Sequence, residues 1–222
     1  MTSLPLKAVL LDVDGTLIDS NDAHAQSWKE TFDHFDYPIP YERIRNRIGK
    51  GGDKLLPELI GVELESARGK ELSQFRNKVF QNYYLPRLRA FPETLDLLRK
   101  MREGNLRLAT ATSGNREDLT ALLQQIGALE LFDFLISSED AENSKPDPDI
   151  LKAAVNKLGL HPSELLMIGD TPYDIEAATR AGIRTIAFKC GGRSAEELQG
   201  AARIYQGPSD LLRHYDDSPL AV

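Results

Sequence analysis

Short apolar runs punctuate this chain, and polar, helix-patterned stretches separate them. Lys7-Ala8-Val9-Leu10-Leu11-Asp12 is continuously apolar at its centre rather than alternating. That is the pattern of a strand buried on both faces of a parallel sheet. Runs of the same kind are Leu106 to Thr112, Phe134 to Ser138, Leu165 to Gly169 and Arg184 to Phe188, with Ala202 to Tyr205 a weaker sixth. The helical stretches have legible ends. Pro92 opens one that Gly104 closes, and Asn115 caps another that runs to Ile126 and stops at Gly127. Pro148 to Leu158 stops at Gly159, and Pro172 to Ala181 at Gly182. Strand and helix alternate from residue 92 onward, which predicts an α/β fold: a Rossmann-like parallel sheet with helices on both faces.

Residues 19–89 break this rhythm. Four helix-like segments follow the first strand: Ala23 to Phe35, Tyr41 to Ile48, Asp53 to Ile60, and Glu65 to Leu88, the last with Leu72, Phe75, Val79 and Tyr83 at helical spacing. The expected organisation is a core of residues 1–18 and 90–222 with a helical cap domain, residues 19–89, inserted into it. The hinges fall near Asp19-Ser20 and Ala90-Phe91, and Asp216 to Val222 reads as a frayed tail.

Composition narrows the class. The 222 residues are 41% hydrophobic and 27% charged, as in ordinary globular proteins, with a formal net charge of -7. No basic face for nucleic acid is advertised, while local cations can still bind a small anion. A single cysteine, Cys190, excludes an intramolecular disulfide, fits a reducing compartment and reads as an ordinary small residue beside Gly191 and Gly192. Met1 to Leu6 lacks the features of a secretory signal, and no run approaches the roughly 18 apolar residues of a membrane span. The expectation is a cytoplasmic protein with no membrane or nucleic-acid partner, acting as a monomer or homodimer.

The chemistry gathers at the strand ends. The first run leads into Asp12-Val13-Asp14-Gly15-Thr16-Leu17, two carboxylates two positions apart followed by glycine. The carboxyl edge of an open α/β sheet is where ligands bind. Carboxylates held this close repel unless a cation joins them or one takes a proton, and such hard oxygen ligands suit magnesium. Thr112-Ser113-Gly114-Asn115 follows the next strand, where hydroxyls and backbone N–H groups can hold an anion. Lys145-Pro146 adds a cation on the same edge, and Gly169-Asp170-Thr171-Pro172-Tyr173-Asp174 adds two further acids. Each piece alone has a plain structural reading: turn and cap chemistry for Asp-x-Asp, a backbone-bonded strand end for Thr112, a solvated Lys145, a helix start at Asp170 and Asp174. Together they form the nucleophile, metal ligands and cations that phosphoryl transfer requires.

These four segments resemble the motifs of the haloacid dehalogenase-like hydrolase superfamily: Asp12 to Ser20 (DVDGTLIDS), Ala111-Thr112-Ser113, Ser144-Lys145-Pro146 and Gly169 to Asp174 (GDTPYD). The helical insert is similar in position to that superfamily's α-helical cap. The subgroup it looks like contains phosphoglycolate phosphatases, small sugar-phosphate phosphatases and β-phosphoglucomutases. The resemblance implies a magnesium-dependent phosphatase acting on a small phosphomonoester through an aspartyl-phosphate. Asp12 would be the nucleophile, and Asp14 the acid for the leaving group and then the base for water. Thr112 and the N–H groups of Ser113 and Gly114 would bind phosphoryl oxygens, and Lys145 would neutralise charge beside the nucleophile. Mg2+ would sit on Asp12, the Asp14 backbone carbonyl and Asp170, with Asp174 in support. The superfamily's dehalogenases lack the second aspartate of the first motif, so Asp14 argues against that chemistry here.

Selectivity would fall to the cap. Arg47-Ile48-Gly49-Lys50-Gly51-Gly52-Asp53 is a glycine-rich loop whose Lys50 can reach a substrate or stay exposed in a plain turn. His24 has a counterpart in the mutases that couples cap closure to proton transfer, and is otherwise a structural or solvated histidine. Trp28, one turn on, reads as a packing residue of the cap. The mutases also carry a cap arginine for the distal phosphate. Its position falls on Gly52 here, which lowers the mutase reading, with Lys50 a poor replacement for a bidentate fork. A non-catalytic binding protein is the third alternative, against which the intact set of Asp12, Asp14, Thr112, Lys145 and Asp170 argues.

Overall fold

A computed structural model describes residues 5–221; the first four residues of the expected core and Val222 of the expected tail lie outside the described residues. The chain begins with β1 (Ala8–Leu11), followed by α1 (Asn21–His34), α2 (Tyr41–Arg45), α3 (Gly52–Ile60) and α4 (Ala67–Val79). Then come α5 (Thr94–Glu103), β2 (Arg107–Thr110), α6 (Arg116–Gln125), α7 (Asp149–Leu158), β3 (Leu165–Gly169) and α8 (Pro172–Arg180). The series closes with β4 (Arg184–Phe188), β5 (Arg203–Tyr205) and α9 (Pro208–Arg213). All strand pairs are parallel, in the order β2-β1-β3-β4-β5. The order reverses between β1 and β3, and an open sheet binds ligands in the crevice at such a switch point.

Alternating residues of each strand feed two apolar layers, as the two-residue period of a strand requires. Val9, Leu11, Leu166 and Ile168 pack on one face against Leu97, Met101 and Leu122. Ala8, Leu10, Leu165 and Met167 pack on the other against Ile150, Leu151 and Ala177. The helical segment after β1 has an apolar cluster of its own, with Trp28, Phe32, Ile44, Leu56 and Leu72 buried together. Trp28 stacks on Phe32 within it, at 5.5 Å between ring centroids.

Four expectations need correction. The run at Phe134 to Ser138 forms no strand: it touches β2 through the single bridge Ala109–Phe134. Backbone bonds remain, from the Thr110 amide to the Phe134 carbonyl at 3.1 Å and the Asp133 amide to the Leu108 carbonyl at 2.8 Å, but side chains take over the rest of the ladder. The Leu108 amide donates to Asp133 Oδ2 and the Ile136 amide to the Thr110 hydroxyl, so the backbone pairing is interrupted. The stretch from Glu65 to Leu88 is not one helix. It leaves α-geometry after Val79 for a π-turn over Phe80–Tyr84 and a 3₁₀ turn over Leu85–Arg87, where Pro86 has no N–H for a continuing ladder. The tail is anchored, because Leu220 is 1% exposed and belongs to the main core beside Leu211 and Tyr215. The second helix is also shorter than expected, ending at Arg45.

Among the described residues, no helix is long and apolar enough to cross a membrane.

Candidate active site

Asp12 extends β1 by one residue, its amide donating to the Ile168 carbonyl at 2.9 Å. The chain then turns tightly: the amides of Leu17 and Ile18 donate to the Val13 carbonyl, and the Gly15 amide to that of Ile18. Gly15 sits at φ +75°, and a Cβ there would stand 2.0 Å from Asn21 Nδ2 and 2.4 Å from Asp170 Oδ2. Glycine is therefore required both by the backbone and by the close approach of the site.

Four charged groups converge at this edge. Lys145, 1% exposed, uses all three ammonium hydrogens: on Asp12 Oδ1 at 2.7 Å, Asp174 Oδ1 at 2.6 Å and the Ala111 carbonyl at 3.0 Å. Burial alone would lower the lysine pKa, but the charges of Asp12 and Asp174 outweigh it and raise the pKa above its ordinary value. The second oxygen of Asp174 accepts from the amide and hydroxyl of Thr171, closing a capping box at the start of α8. Asp170 is equally fixed, accepting from the Thr16 hydroxyl at 3.0 Å and Asn21 Nδ2 at 2.8 Å.

Asp12, Asp170 and Asp174 bring carboxylate oxygens within 4.8 Å of one another. Three buried carboxylates against one ammonium leave an excess of negative charge. Burial and the neighbouring Asp174 push Asp170 up to about 7, and burial pushes Asp12 well up despite the ammonium of Lys145. The residues fit a hard divalent cation. Every donor is oxygen, one ammonium only partly balances the cluster, and the Asn21 Oδ1 beside it is buried without a hydrogen-bond partner. The Asp14 carboxylate stays out of this cluster, so only its main-chain oxygen is left for a metal.

Asp14 turns instead toward the helical segment. Its Oδ1 accepts from Ser20 Oγ at 2.6 Å and lies 2.7 Å from His24 Nε2. Arg76 donates to the other ring nitrogen of His24, and guanidinium has no acceptor, so Nε2 is the nitrogen that donates to Asp14. Phe80 stacks on the imidazole at 4.3 Å. Burial would raise the Asp14 pKa; the electrostatic pull and hydrogen bond of His24, the Ser20 hydroxyl and the Arg76 charge reverse this and hold it at about 2.

Asp12, Asp14 and His24 line a cavity of about 210 Å³ together with Thr112, Ser113 and Gly114. Thr112 Oγ1 accepts from the Gly114 amide at 3.0 Å, and Ser113 Oγ is buried with no partner. Asn115 caps α6 by accepting from the Asp118 amide, which fixes where this loop ends. Lys145 stands behind Asp12 rather than in the cavity wall. Lys50 lines the cavity, but its ammonium pairs with Glu58 and lies 4.8 Å over the Tyr173 ring. Cys190 is held off from chemistry: burial, with Asp170 nearby, pushes its thiol up to about 12. Asn21, Thr16, Arg76, Asp118 and Gly191 carry no local signal of their place here. Only the proximity of Asn21 and Thr16 to the first motif could have drawn attention to them.

The sequence pattern that defines the haloacid dehalogenase-like hydrolases matches residues 9–188. The chain belongs to that family. It is 30% identical to a phosphoglycolate phosphatase of Nitrosospira multiformis, over 88% of this chain and 89% of that protein. It is 29% identical to an N-acetylmuramic acid 6-phosphate phosphatase of Pseudomonas aeruginosa, over 96% of each. The crystal structure of a hydrolase from Pseudomonas syringae superposes with a TM-score of 0.87 at 32% identity, covering 95% of this chain and 98% of the other.

Proposed function

We propose that this chain, a phosphatase of the haloacid dehalogenase-like family, hydrolyses a small phosphomonoester through an aspartyl-phosphate on Asp12. One observation carries the reading. A carboxylate fixed by Lys145 faces a cavity that the Thr112–Gly114 loop also lines, with a buried, unpaired Ser113 hydroxyl. At about 210 Å³ the cavity is smaller than the roughly 300–1,000 Å³ clefts that take drug-sized ligands, which suits a small metabolite.

In this reading the phosphoryl group enters between Asp12 and the loop. Thr112, Ser113 and the loop amides hold its oxygens, and Asp12 attacks phosphorus as the ester oxygen leaves. Lys145 keeps one Asp12 oxygen engaged and presents the other to the substrate. Mg2+, held by Asp12, Asp170 and the main chain at Asp14 with Asp174 behind, would supply positive charge against the phosphoryl oxygens. With its pKa held low by His24, Ser20 and Arg76, Asp14 is ionised and can take a proton from the water that releases phosphate. A phosphoryl group beside it adds negative charge and raises its pKa, which favours the protonated form that the leaving oxygen needs. The helical segment over residues 19–89 acts as a cap domain that closes the cavity, and the lone, half-buried thiol suits a reducing cytoplasm.

The test is phosphate release from a panel of small phosphoesters, with Mg2+ and with EDTA. Mg2+-dependent release that disappears in Asp12→Asn supports the reading. Retained turnover in that variant removes Asp12 as nucleophile.

A further inference from the structure

Of the four charged groups that meet at the sheet edge, Lys145 is the one that no regular element places. Asp12 extends β1, Asp170 follows β3 directly, and Asp174 lies in the first turn of α8. Lys145 lies in the loop before α7. Among the described residues, no backbone atom of residues 143–147 bonds to the sheet. The loop has one backbone bond of its own, from the Asp147 amide to the Ser144 carbonyl at 3.1 Å. The ammonium of Lys145 anchors the tip of that side chain on Asp12 and Asp174, so its stem needs an anchor from elsewhere.

The helical segment over residues 19–89 supplies it. The amide of buried Ser144 donates to Asp53 Oδ2 at 3.1 Å, and the Gly51 amide donates to Ser144 Oγ at 3.0 Å. These two bonds run in opposite directions across one contact. The approach is close: a Cβ on Gly51 would stand 2.7 Å from Ser144 Cβ and 2.5 Å from Asp53 Oδ1. Lys54 adds an ion pair with Asp147 at 2.8 Å. Bonds from the start of α3 therefore reach the loop on both sides of Lys145.

We infer that Asp53 is a positioning residue for phosphoryl transfer: it holds Ser144, and through Ser144 the backbone of Lys145, while the helical segment is seated on the core. The inference rests on the phosphatase reading above. It assigns Asp53, which also lines the cavity, to the placement of Lys145 rather than to the substrate. Without this contact the loop is free to shift, and a misplacement of about 1 Å can cost on the order of 100-fold in rate.

The experiment measures kcat and KM for phosphate release from p-nitrophenyl phosphate, phosphoglycolate and glucose 6-phosphate at saturating Mg2+. Wild type is compared with Asp53→Ala and Asp53→Asn, with circular dichroism to check folding. Asp53→Ala removes the acceptor, whereas Asp53→Asn removes the charge and keeps an acceptor oxygen. A group that aligns the reacting atoms without touching the substrate lowers kcat and leaves KM in place. Asp53→Ala is expected to lower kcat at least tenfold with KM within threefold of wild type, and Asp53→Asn to stay within threefold in both. Wild-type kcat in folded Asp53→Ala overturns the inference, as does a rise in KM alone, which would give Asp53 to the substrate. Equal losses in the two variants overturn it too, because the charge and not the bond would then matter. These outcomes leave the phosphatase reading standing, whereas a wild type silent on all three esters overturns both.

Ser144→Ala tests the contact from the core side and serves where Asp53→Ala fails to fold. It deprives the Gly51 amide of its partner and keeps the Ser144 amide for Asp53. A loss in kcat of at least threefold is expected. The double variant should lose less than the product of the two single losses, because both act on one contact. Wild-type kcat in folded Ser144→Ala, or losses that multiply, overturns the inference.

Discussion

The ammonium of Lys145 lies 2.7 Å from Oδ1 of Asp12, across 133 positions of sequence, with both side chains buried. A buried pair of this kind need not add net stability, but removing one partner strands the other. Lys145→Met leaves Asp12, Asp174 and the Ala111 carbonyl without their shared donor. Loss of turnover is expected, with a loss of about 3–5 kcal/mol in denaturant unfolding measured in EDTA. A loss below about 1 kcal/mol would mean the carboxylates find other donors, and the arrangement described here would be wrong.

The same carboxylates make stability depend jointly on pH and metal. Asp170 has its folded-state pKa raised to about 7, by burial first and by Asp174 second. Between its ordinary value near 4 and about 7, the folded chain therefore binds more protons than the unfolded chain. Stability contributed by this group is present below that window and falls as pH rises through it. A divalent cation bound to the ionised cluster would reverse the trend. Mg2+ is thus expected to raise the melting temperature more at pH 8 than at pH 5, against EDTA controls. An equal or larger shift at pH 5 would remove the cluster as the cation's site.

His24 sets the charge state of Asp14 more directly than any other neighbour. With its partners in place Asp14 is held at about 2, so its ionised form persists far into acid. His24→Asn removes the electrostatic pull and the hydrogen bond, and the Asp14 pKa moves upward. The base form is then lost at a higher pH, so the acid limb of the kcat profile is expected to shift toward neutrality. The profile from pH 4 to 7 checks this, and an unmoved limb would show that His24 has no part in proton handling.

Much of this arrangement follows from local pattern, and the exceptions have physical causes. Continuous apolar runs mark β1, β3 and β4 because strands buried on both faces have no polar side to show. Polar residues at their ends stand out for the same reason, which is how Asp12 and Asp170 can be found. The run at Phe134 is likewise apolar but gives part of its ladder to the side chains of Asp133 and Thr110, a competition that periodicity does not encode. Asn21 and Gly191 meet Asp170 across long stretches of chain, and nothing in their own surroundings announces it. Arg76 sits in an ordinary polar helix, and only folding turns it inward onto His24.

Gly191 illustrates how a silent position can govern the site. A Cβ there would fall 1.8 Å from Asp170 Oδ2, while its carbonyl accepts from Asn21 at 3.1 Å and Arg45 at 2.8 Å. Gly191→Ala must push Asp170 aside. Misplacement by about 1 Å can cost on the order of 100-fold in rate, and a loss of that size in kcat is expected. A higher Mg2+ concentration should also be needed for half-maximal activity. Wild-type Mg2+ dependence in a folded Gly191→Ala variant would show that Asp170 does not hold the metal.

The end of the chain tests packing rather than chemistry. Polar residues Asp216 and Asp217 make the tail look solvated, yet a 3₁₀ turn over Tyr215–Asp217 carries the chain back to the core. The Ser218 hydroxyl then accepts from the Leu220 amide at 3.1 Å. Leu220 ends 1% exposed, in the cluster that includes Leu211 and Tyr215. Leu220→Ala removes buried methyl groups and opens a cavity, which for a leucine costs roughly 2–5 kcal/mol. Equilibrium unfolding should show a loss in that range with kcat preserved, because the residue packs in the core and lines no part of the catalytic cavity. A loss under about 0.5 kcal/mol, the size of an ordinary surface substitution, would place Leu220 in solvent and return the tail to the frayed state its polarity suggests.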